Sequence, residues 1–358
     1  MTTVNADRSH TDAPSGAASA DVLLRIRNLS MRFQLSSGFL GLTGRTSFHA
    51  VREVNLSIRR GETLGLVGES GCGKTTLGRC VLRAYKPTHG ELAYRREDGT
   101  VVDLARLGRG ELRPYRREIR TVFQDPNSSL NPRMTLLQIV GEPLLVNDLA
   151  RGAELRDRVA EVLRLVGLRP EYMRRYPHAF SGGERQRIGI ARALVTRPRL
   201  VVADEAVSAL DVSVRSQILN LLEDLQEQLG LTYLFVSHDL SVIRHLCDRV
   251  AVMYLGRIVE EGATDDLFTR PRHPYTESLL RALPLPDPRL RSTKKRVPLR
   301  GEVPDPASPP PGCTFHPRCP YAQGRCATDE PALIPLGRSA AARCHYADSL
   351  QLAGVTDS

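Results

Sequence analysis

The clearest alternation of apolar and polar positions is Val51-Arg52-Glu53-Val54-Asn55-Leu56-Ser57-Ile58, whose period of two predicts a half-buried strand. Val22 to Leu29 alternates well enough to be its partner, and the Gly/Ser/Thr-rich piece between them, Ser36 to Ser47, predicts a long hairpin loop. Other apolar runs are short and unbroken: Thr63 to Val67, Leu200 to Ala203 and Leu231 to Val236. Runs of this length with polar ends predict strands covered on both faces, as in a parallel sheet. Ile119 to Pro126 predicts a strand that turns polar at Gln124, and Arg249 to Val259 supplies further strand. Helical spacing appears over Leu77 to Leu82, Thr135 to Leu145, and Glu154 to Val166, where Val159, Val162, Leu163 and Val166 share one face. Further helices open at Ser181, follow Asp211 as far as Gly230, and begin at Thr264. The turn-rich Asn127 to Met134 leads into an all-helical insertion, and Tyr94 to Arg120 is a charged connecting stretch.

Composition narrows the class. With 358 residues of which 41% are hydrophobic, the chain can bury a sizeable core, as one large or two modest domains. No run of eighteen apolar residues exists, so no membrane-spanning helix is expected. The polar, Ala/Ser-rich start, Met1 to Asp21, predicts a disordered lead-in and not a secretory signal, which places the chain in the cytoplasm. The net charge is +10, carried almost wholly by arginine, without aromatic interleaving and without tryptophan; a solvated basic face is expected, not a nucleic-acid site.

The candidate chemistry starts at Gly68-Glu69-Ser70-Gly71-Cys72-Gly73-Lys74-Thr75-Thr76, set between the Thr63 to Val67 strand and the following helix. Glycines let the main chain curl until its N–H groups ring a triphosphate, and the helix start adds its own free N–H groups. Lys74 suits the β- and γ-phosphates and the Thr75 hydroxyl suits Mg²⁺. Ser181-Gly182-Gly183-Glu184 reads as a capping box and a second backbone anion cradle. Leu200 to Glu205 ends in two acids at the edge where open α/β sheets bind ligands: Asp204 is placed to hold Mg²⁺ and Glu205 to polarise water. The Leu231 to Asp239 strand delivers His238 to the same edge. Phe33 or Phe48 could stack on an adenine, or both could simply pack between strands. Cys72 reads as a small filler in the loop, not a nucleophile.

In order and spacing these motifs resemble the ATP-binding subunits of ABC transporters. Gly68 to Thr75 looks like the Walker A loop, Gln124 the Q-loop, Phe180 to Gln186 the signature, Leu200 to Glu205 Walker B, Ser208 to Asp211 the D-loop and His238 the switch histidine. The implied fold is α/β: a P-loop NTPase cassette with a mixed sheet core, an antiparallel β subdomain and a helical subdomain at about residues 127–180, spanning 22–270 in all. A Cys-containing C-terminal domain over 271–350 and a tail at 351–358 would follow; its compositional shift toward Pro, Arg and Cys sets in at Pro284. Asn131-Pro132-Arg133, His273-Pro274-Tyr275-Thr276 and the C-terminal cysteines resemble the oligopeptide/dipeptide importer branch, and specifically its second ATPase.

The resemblance implies ATP and Mg²⁺ as cofactors. Catalysis would fall to Glu205 as base, His238 and Gln124 as positioners, and Lys74. Mg²⁺ would be held by Thr75, Gln124 and Asp204. Ser181, Gly182, Gly183, Glu184 and Asp211 would complete a nucleotide site across a head-to-tail pair with a paralogous ATPase. Two membrane-spanning permease subunits and an extracytoplasmic binding protein would complete the assembly, with this chain peripheral at the cytoplasmic face. Peptide is the expected cargo, with nickel or another small solute as the alternative. Ala206 stands where the family usually has proline, and Glu184 replaces the commoner glutamine.

Cys313, Cys319, Cys326 and Cys344 are spaced C-x₅-C-x₆-C-x₁₇-C, without the paired knuckles of zinc sites. Such spacing suits four thiolates on an iron–sulfur cubane, and the resembled family carries a [4Fe-4S] cluster here; zinc is the alternative. A soluble ABC ATPase of translation or DNA repair is a competing class. The chain shows one cassette, with about a hundred residues and no sustained heptads between Walker A and the signature, which argues against both forms.

Overall fold

The computed structural model describes residues 21–35, 46–125, 129–283, 301–337 and 340–355. The expected lead-in (1–20), most of the hairpin loop (36–45), residues 126–128, the shift in composition at 284–300 and the last tail residues, 356–358, lie outside them.

Twelve strands are present among the described residues. In chain order they are β1 Val22–Leu35, β2 Thr46–Arg59, β3 Thr63–Val67, β4 His89–Arg95, β5 Val101–Asp103 and β6 Ile119–Val122. Then come β7 Leu200–Asp204, β8 Thr232–Val236, β9 Arg249–Tyr254, β10 Arg257–Ala263, β11 Ile334–Leu336 and β12 Ala340–Ala342. One antiparallel sheet has the order β2-β1-β4-β5. The other has the order β11-β12-β10-β9-β3-β8-β7-β6, parallel from β9 to β6 and antiparallel beyond, so it is mixed.

Every residue of β3 and β8 is buried, as their unbroken apolar runs require. One core lies between the two sheets, where Ile26, Leu56, Leu66, Leu77 and Val202 meet around the helix Lys74–Val81. The other lies on the opposite face of the main sheet, under the helices Gly182–Leu194 and Val212–Leu229 and the helical insertion. The phosphate-loop helix is therefore clamped between two sheets.

Three differences from the sequence reading have physical causes. β1 and β2 run for 14 residues each, beyond their alternating stretches, because bulges interrupt the period: Asn28 and Glu53 take left-handed conformations and Asn28 and Asn55 bond across the gap. Within the charged stretch β4 and β5 pair and Arg113–Glu118 is helical, although only Leu92 and Tyr94 of β4 are buried. The C-terminal part, expected as a domain that follows the cassette, also contributes β12 to the main sheet, where it pairs with β10 (Glu260↔Ala342). In the helical insertion, Thr135 caps the helix Leu136–Val146 through a capping box, and Gly152–Leu165 buries Val159, Val162 and Leu163 as expected.

The His273 to Thr276 motif has a structural reading. His273 is buried and caps the helix Pro274–Arg281, its Nδ1 accepting from the Tyr275 N–H at 3.0 Å. The Glu260 carboxylate accepts from the N–H groups of Arg272 (2.7 Å) and His273 (2.9 Å). Burial lowers the pKa of His273 from 6.5 to about 3 and raises that of Glu260 from 4.5 to about 7. The histidine contributes stability that is present above its unfolded pKa and lost as pH falls. The carboxyl contributes stability that is present at low pH and lost as pH rises through about 7. Replacing His273 by Asn keeps a cap and removes the histidine's contribution. The Tm of His273→Asn relative to wild type is expected to rise as pH is lowered from about 7 to about 5, and melts at the two pH values check it.

Candidate functional site

The C-terminal ends of the adjacent strands β3, β8, β7 and β6 carry Gly68, His238, Asp204 with Glu205, and Gln124. The sheet order thus gathers every predicted catalytic side chain on one edge. Gly68 and Gly73 hold left-handed backbone (φ 152° and 110°), and a Cβ there would run into the carbonyl oxygens of Met253 and Ala50. Only glycine fits at these two points of the loop. Gly73 caps the helix without a side-chain bond and no acid lies in the first turn, so no side chain of the turn itself competes with an anion for its first N–H groups. Ser70 and Gly71 are exposed at the loop tip, and Thr76 is half-buried.

Lys74 is 5% exposed and its Nζ donates to the carbonyls of Gly68 (2.7 Å) and Glu69 (2.9 Å). A cation so buried, with carbonyls for partners, suits an arriving phosphate. Cys72 is buried beside it, with Sγ 3.7 Å from Nζ; burial pushes its thiol pKa up, in keeping with a filler. The Thr75 hydroxyl donates to Asp204 Oδ1 at 3.2 Å. Burial raises the Asp204 pKa, with Glu205 adding to it, so this carboxyl would gain from a cation at the same point. The donor set of hydroxyl and carboxylate oxygens fits Mg²⁺. Gln124, the third expected ligand, is exposed just beyond β6.

Glu205 holds the unusual φ of 49° for a non-glycine residue, fixed by its N–H bond to the Val236 carbonyl (2.9 Å) and by Ser208 on its own carbonyl. Its Oε1 lies 3.0 Å from His238 Nδ1, so expected base and switch histidine already touch. Ala206 needs no proline ring to fix this turn: the buried Gln186 donates to the Ala206 carbonyl at 2.6 Å. Gln186 closes the Phe180 to Gln186 signature, but this role as a buried brace of the turn is not given by the motif; its only signal is a polar residue on the buried face of the helix Gly182–Leu194.

Ser181 and Glu184 form the expected capping box, Ser181 N–H and Oγ reaching Oε2 at 2.9 and 2.8 Å, bonds that lower the Glu184 pKa. Ser181 and Gly182 are exposed, and Gly183 lies against Val214, which a Cβ there would strike. Asp211 caps the helix Val212–Leu229 through the Val214 N–H. These residues bond within their own turns, leaving a face open beside the sheet edge. Phe33 and Phe48 pair across β1 and β2, with centroids 5.7 Å apart.

The four C-terminal cysteines, all free, line one small apolar cavity with Phe315 and His273. Burial raises the thiol pKa values of Cys313 (to about 11), Cys319 (to about 12) and Cys344, while backbone N–H groups two residues on, at Phe315, Tyr321 and Tyr346, work against that rise. Among the described residues no three His, Cys, Asp or Glu side chains are arranged to hold a single metal ion.

A mixed sheet with a glycine-ringed phosphate loop, a paired acid and switch histidine at its edge, and a capped signature helix beside it defines an ATP-binding cassette. The comparisons agree: residues 51–208 match the family "ABC transporter" and 259–326 match "Oligopeptide/dipeptide transporter, C-terminal region". The chain belongs to the ABC transporter ATP-binding proteins, in the branch that carries this C-terminal region. It is 49% identical to the "Probable peptide ABC transporter ATP-binding protein y4tS" of Sinorhizobium fredii, covering 91% of this chain and 90% of that one. It is 47% identical to the "Oligopeptide transport ATP-binding protein AppF" of Bacillus subtilis, covering 92% and 98%. Among solved structures, the dimeric cassette MJ0796 bound to ADP and Pi has a TM-score of 0.57 at 31% identity, over 68% of this chain and 99% of that one. CbiO1 of Clostridium perfringens, part of the transporter complex cbiONQ, has a TM-score of 0.58 at 29% identity, over 69% and 91%. ATP hydrolysis coupled to transport is the activity of this family.

Asp204→Asn is expected to bind ATP without Mg²⁺ about as wild type does, yet to hydrolyse MgATP at least ~100-fold more slowly. Nucleotide titrations with and without Mg²⁺, beside a phosphate-release assay, check both parts.

Proposed function

We propose that this chain is one of two paired ATPases that power uptake of peptides through a membrane permease. The observation that carries the reading is one sheet edge holding Lys74, Thr75, Asp204, Glu205 and His238 in a chain that continues into the oligopeptide/dipeptide C-terminal region. Glu205 would take a proton from the water that attacks the γ-phosphorus in line, with its carboxylate held by His238. Lys74 would neutralise charge on the phosphates, and Mg²⁺ on Thr75 and Asp204, with Gln124 closing the set, would supply the remaining electrostatic stabilisation.

The open Ser181 to Glu184 face would meet the nucleotide of a paralogous subunit, and this chain's phosphate loop would meet the partner's signature. Asp211, beside Gly183 through Val214, would sit at the same junction. The helical insertion exposes Leu145, Val146 and Tyr176, with Phe123 exposed next to Gln124; this surface would seat the two permease subunits and convey γ-phosphate contact to them. No helix among the described residues is long and apolar enough to cross a membrane, in keeping with a peripheral subunit at the cytoplasmic face. An extracytoplasmic binding protein would deliver the solute.

The same reading includes a [4Fe-4S] cluster on Cys313, Cys319, Cys326 and Cys344. Its support is the shared cavity and the N–H groups aimed at three of the sulfurs, which would partly offset the cost of burying thiolates there. The cluster would staple the C-terminal domain and take no part in hydrolysis. Anaerobic purification followed by iron and acid-labile sulfide analysis tests it. About four of each per chain is expected; zinc in their place selects the other metal, and neither leaves the thiols unliganded.

Glu205→Gln is expected to bind ATP but to turn over at least ~100-fold more slowly. In cells carrying that variant, uptake of labelled dipeptide or pentapeptide should collapse. Selective loss of nickel uptake would move the cargo to the metal alternative, and normal uptake of all three would count against the peptide assignment.

A further inference from the structure

Glu69, the second residue of the phosphate loop, has all three of its polar groups engaged. Its carbonyl accepts from Lys74 Nζ at 2.9 Å. Its N–H donates to the Tyr275 hydroxyl at 2.8 Å. Its carboxylate is forked by Arg318, Nη1 to Oε2 at 2.7 Å and Nη2 to Oε1 at 3.0 Å. Two of these three tethers come from outside the sheet that carries the loop.

Arg318 lies 249 residues further along the chain and is 4% exposed, whereas Glu69 is 24% exposed. It sits in the single turn His316–Arg318, between Cys313 and Cys319. That turn is tied at both ends: the His316 N–H donates to the Cys313 carbonyl (2.9 Å) and the Cys319 N–H to the His316 carbonyl (3.3 Å). Phe315 forms a wall of the cysteine cavity and packs with Tyr254 (5.4 Å) and Tyr275 (5.4 Å). The short segment 313–319 is thus at once part of the cavity wall and the arm that grips the phosphate loop.

We propose that the C-terminal cysteine domain positions the phosphate loop through the Arg318–Glu69 pair and the Tyr275–Glu69 bond, so that nucleotide affinity and the state of the cysteine cavity are coupled. A bidentate guanidinium–carboxylate pair fixes both distance and angle, and a shift of Cys313 or Cys319 moves the turn that carries it. When a phosphate draws Lys74 away from the Glu69 carbonyl, Arg318 and Tyr275 keep that residue in place. Arg318 and Tyr275 are positioning residues; neither is expected to touch the phosphates. The coupling concerns the nucleotide site alone and holds whichever solute is carried.

The test uses the full chain and MgATP. Kd is measured for wild type, Arg318→Gln, Glu69→Gln, the double variant and Tyr275→Phe. Arg318→Gln and Glu69→Gln should each raise Kd about tenfold, and the double variant no further, because the guanidinium–carboxylate pair is already lost in each single variant. Tyr275→Phe, which deletes a single oxygen, should raise Kd about fivefold and carries the test even where Arg318→Gln does not fold. In wild type, MgATP should change amide hydrogen exchange across residues 313–319, read by peptide mass spectrometry, and Arg318→Gln should abolish that change; a purely structural cement would leave it unmoved. A Kd within about twofold of wild type in the Tyr275 and Arg318 variants, or fully additive effects in the double, overturns the proposal.

Discussion

A lysine ammonium at 5% exposure, bonded to two carbonyl oxygens and a thiol, is the constraint on which the cassette turns. A buried charge of this kind is tolerable only where dipoles are fixed around it and a counter-charge is due to arrive. The fixing is done by everything nearby. β3 is buried in the middle of a sheet, the helix Lys74–Val81 is held between two sheets, and glycines at 68 and 73 let Met253 and Ala50 press their carbonyls onto the loop. The two ends of the loop are stiff because their neighbours leave Gly68 and Gly73 no room, and a ring of N–H groups held at both ends needs little reorganisation when an anion enters.

Much of this was legible in the sequence because strong local patterns carry it. The unbroken apolar runs at Thr63 and Leu231 became the fully buried β3 and β8, and Ser181 with Glu184 became the capping box. The residues at the strand ends, Asp204, Glu205 and His238, follow from strand placement alone. What was not legible is set by contacts far apart in the chain. The Glu69–Arg318 pair spans 249 residues, and a single acid in a glycine loop does not announce its partner. Gln186 is legible as the end of the signature, but only the packing shows it buried against the Ala206 carbonyl. The bulges at Asn28 and Glu53 break the period that strand reading depends on, so β1 and β2 ran longer than their alternation suggested.

The subdomains are joined by a few buried or half-buried polar groups, each standing where several elements meet. Arg257 on β10 is 7% exposed and pairs with Glu53 of β2 at 3.0 Å and with Glu330 at 2.8 Å, linking the antiparallel sheet, the main sheet and the C-terminal part. Gln186 links the signature helix to the turn after β7, and Arg215 ties the helix that follows the D-loop to Asp239 beside the switch histidine at 2.9 Å. Directional bonds at such junctions specify one arrangement of the parts where apolar packing would accept several.

The pairing of β12 with β10 bears on how the molecule behaves among its own copies. β10 would otherwise be the outermost strand on its side of a large sheet, with a row of unmet N–H and C=O groups open to any extended segment. Ala342 and Ala341 take the middle of that row, at Glu260 and Glu261, and β11 beyond them is only three residues long and carries Pro335, which cannot donate. The far end of the chain thus works as a selvedge: it finishes the weave of the sheet with a strand too short and too poor in donors to be continued, and so keeps one cassette from being sewn to the next.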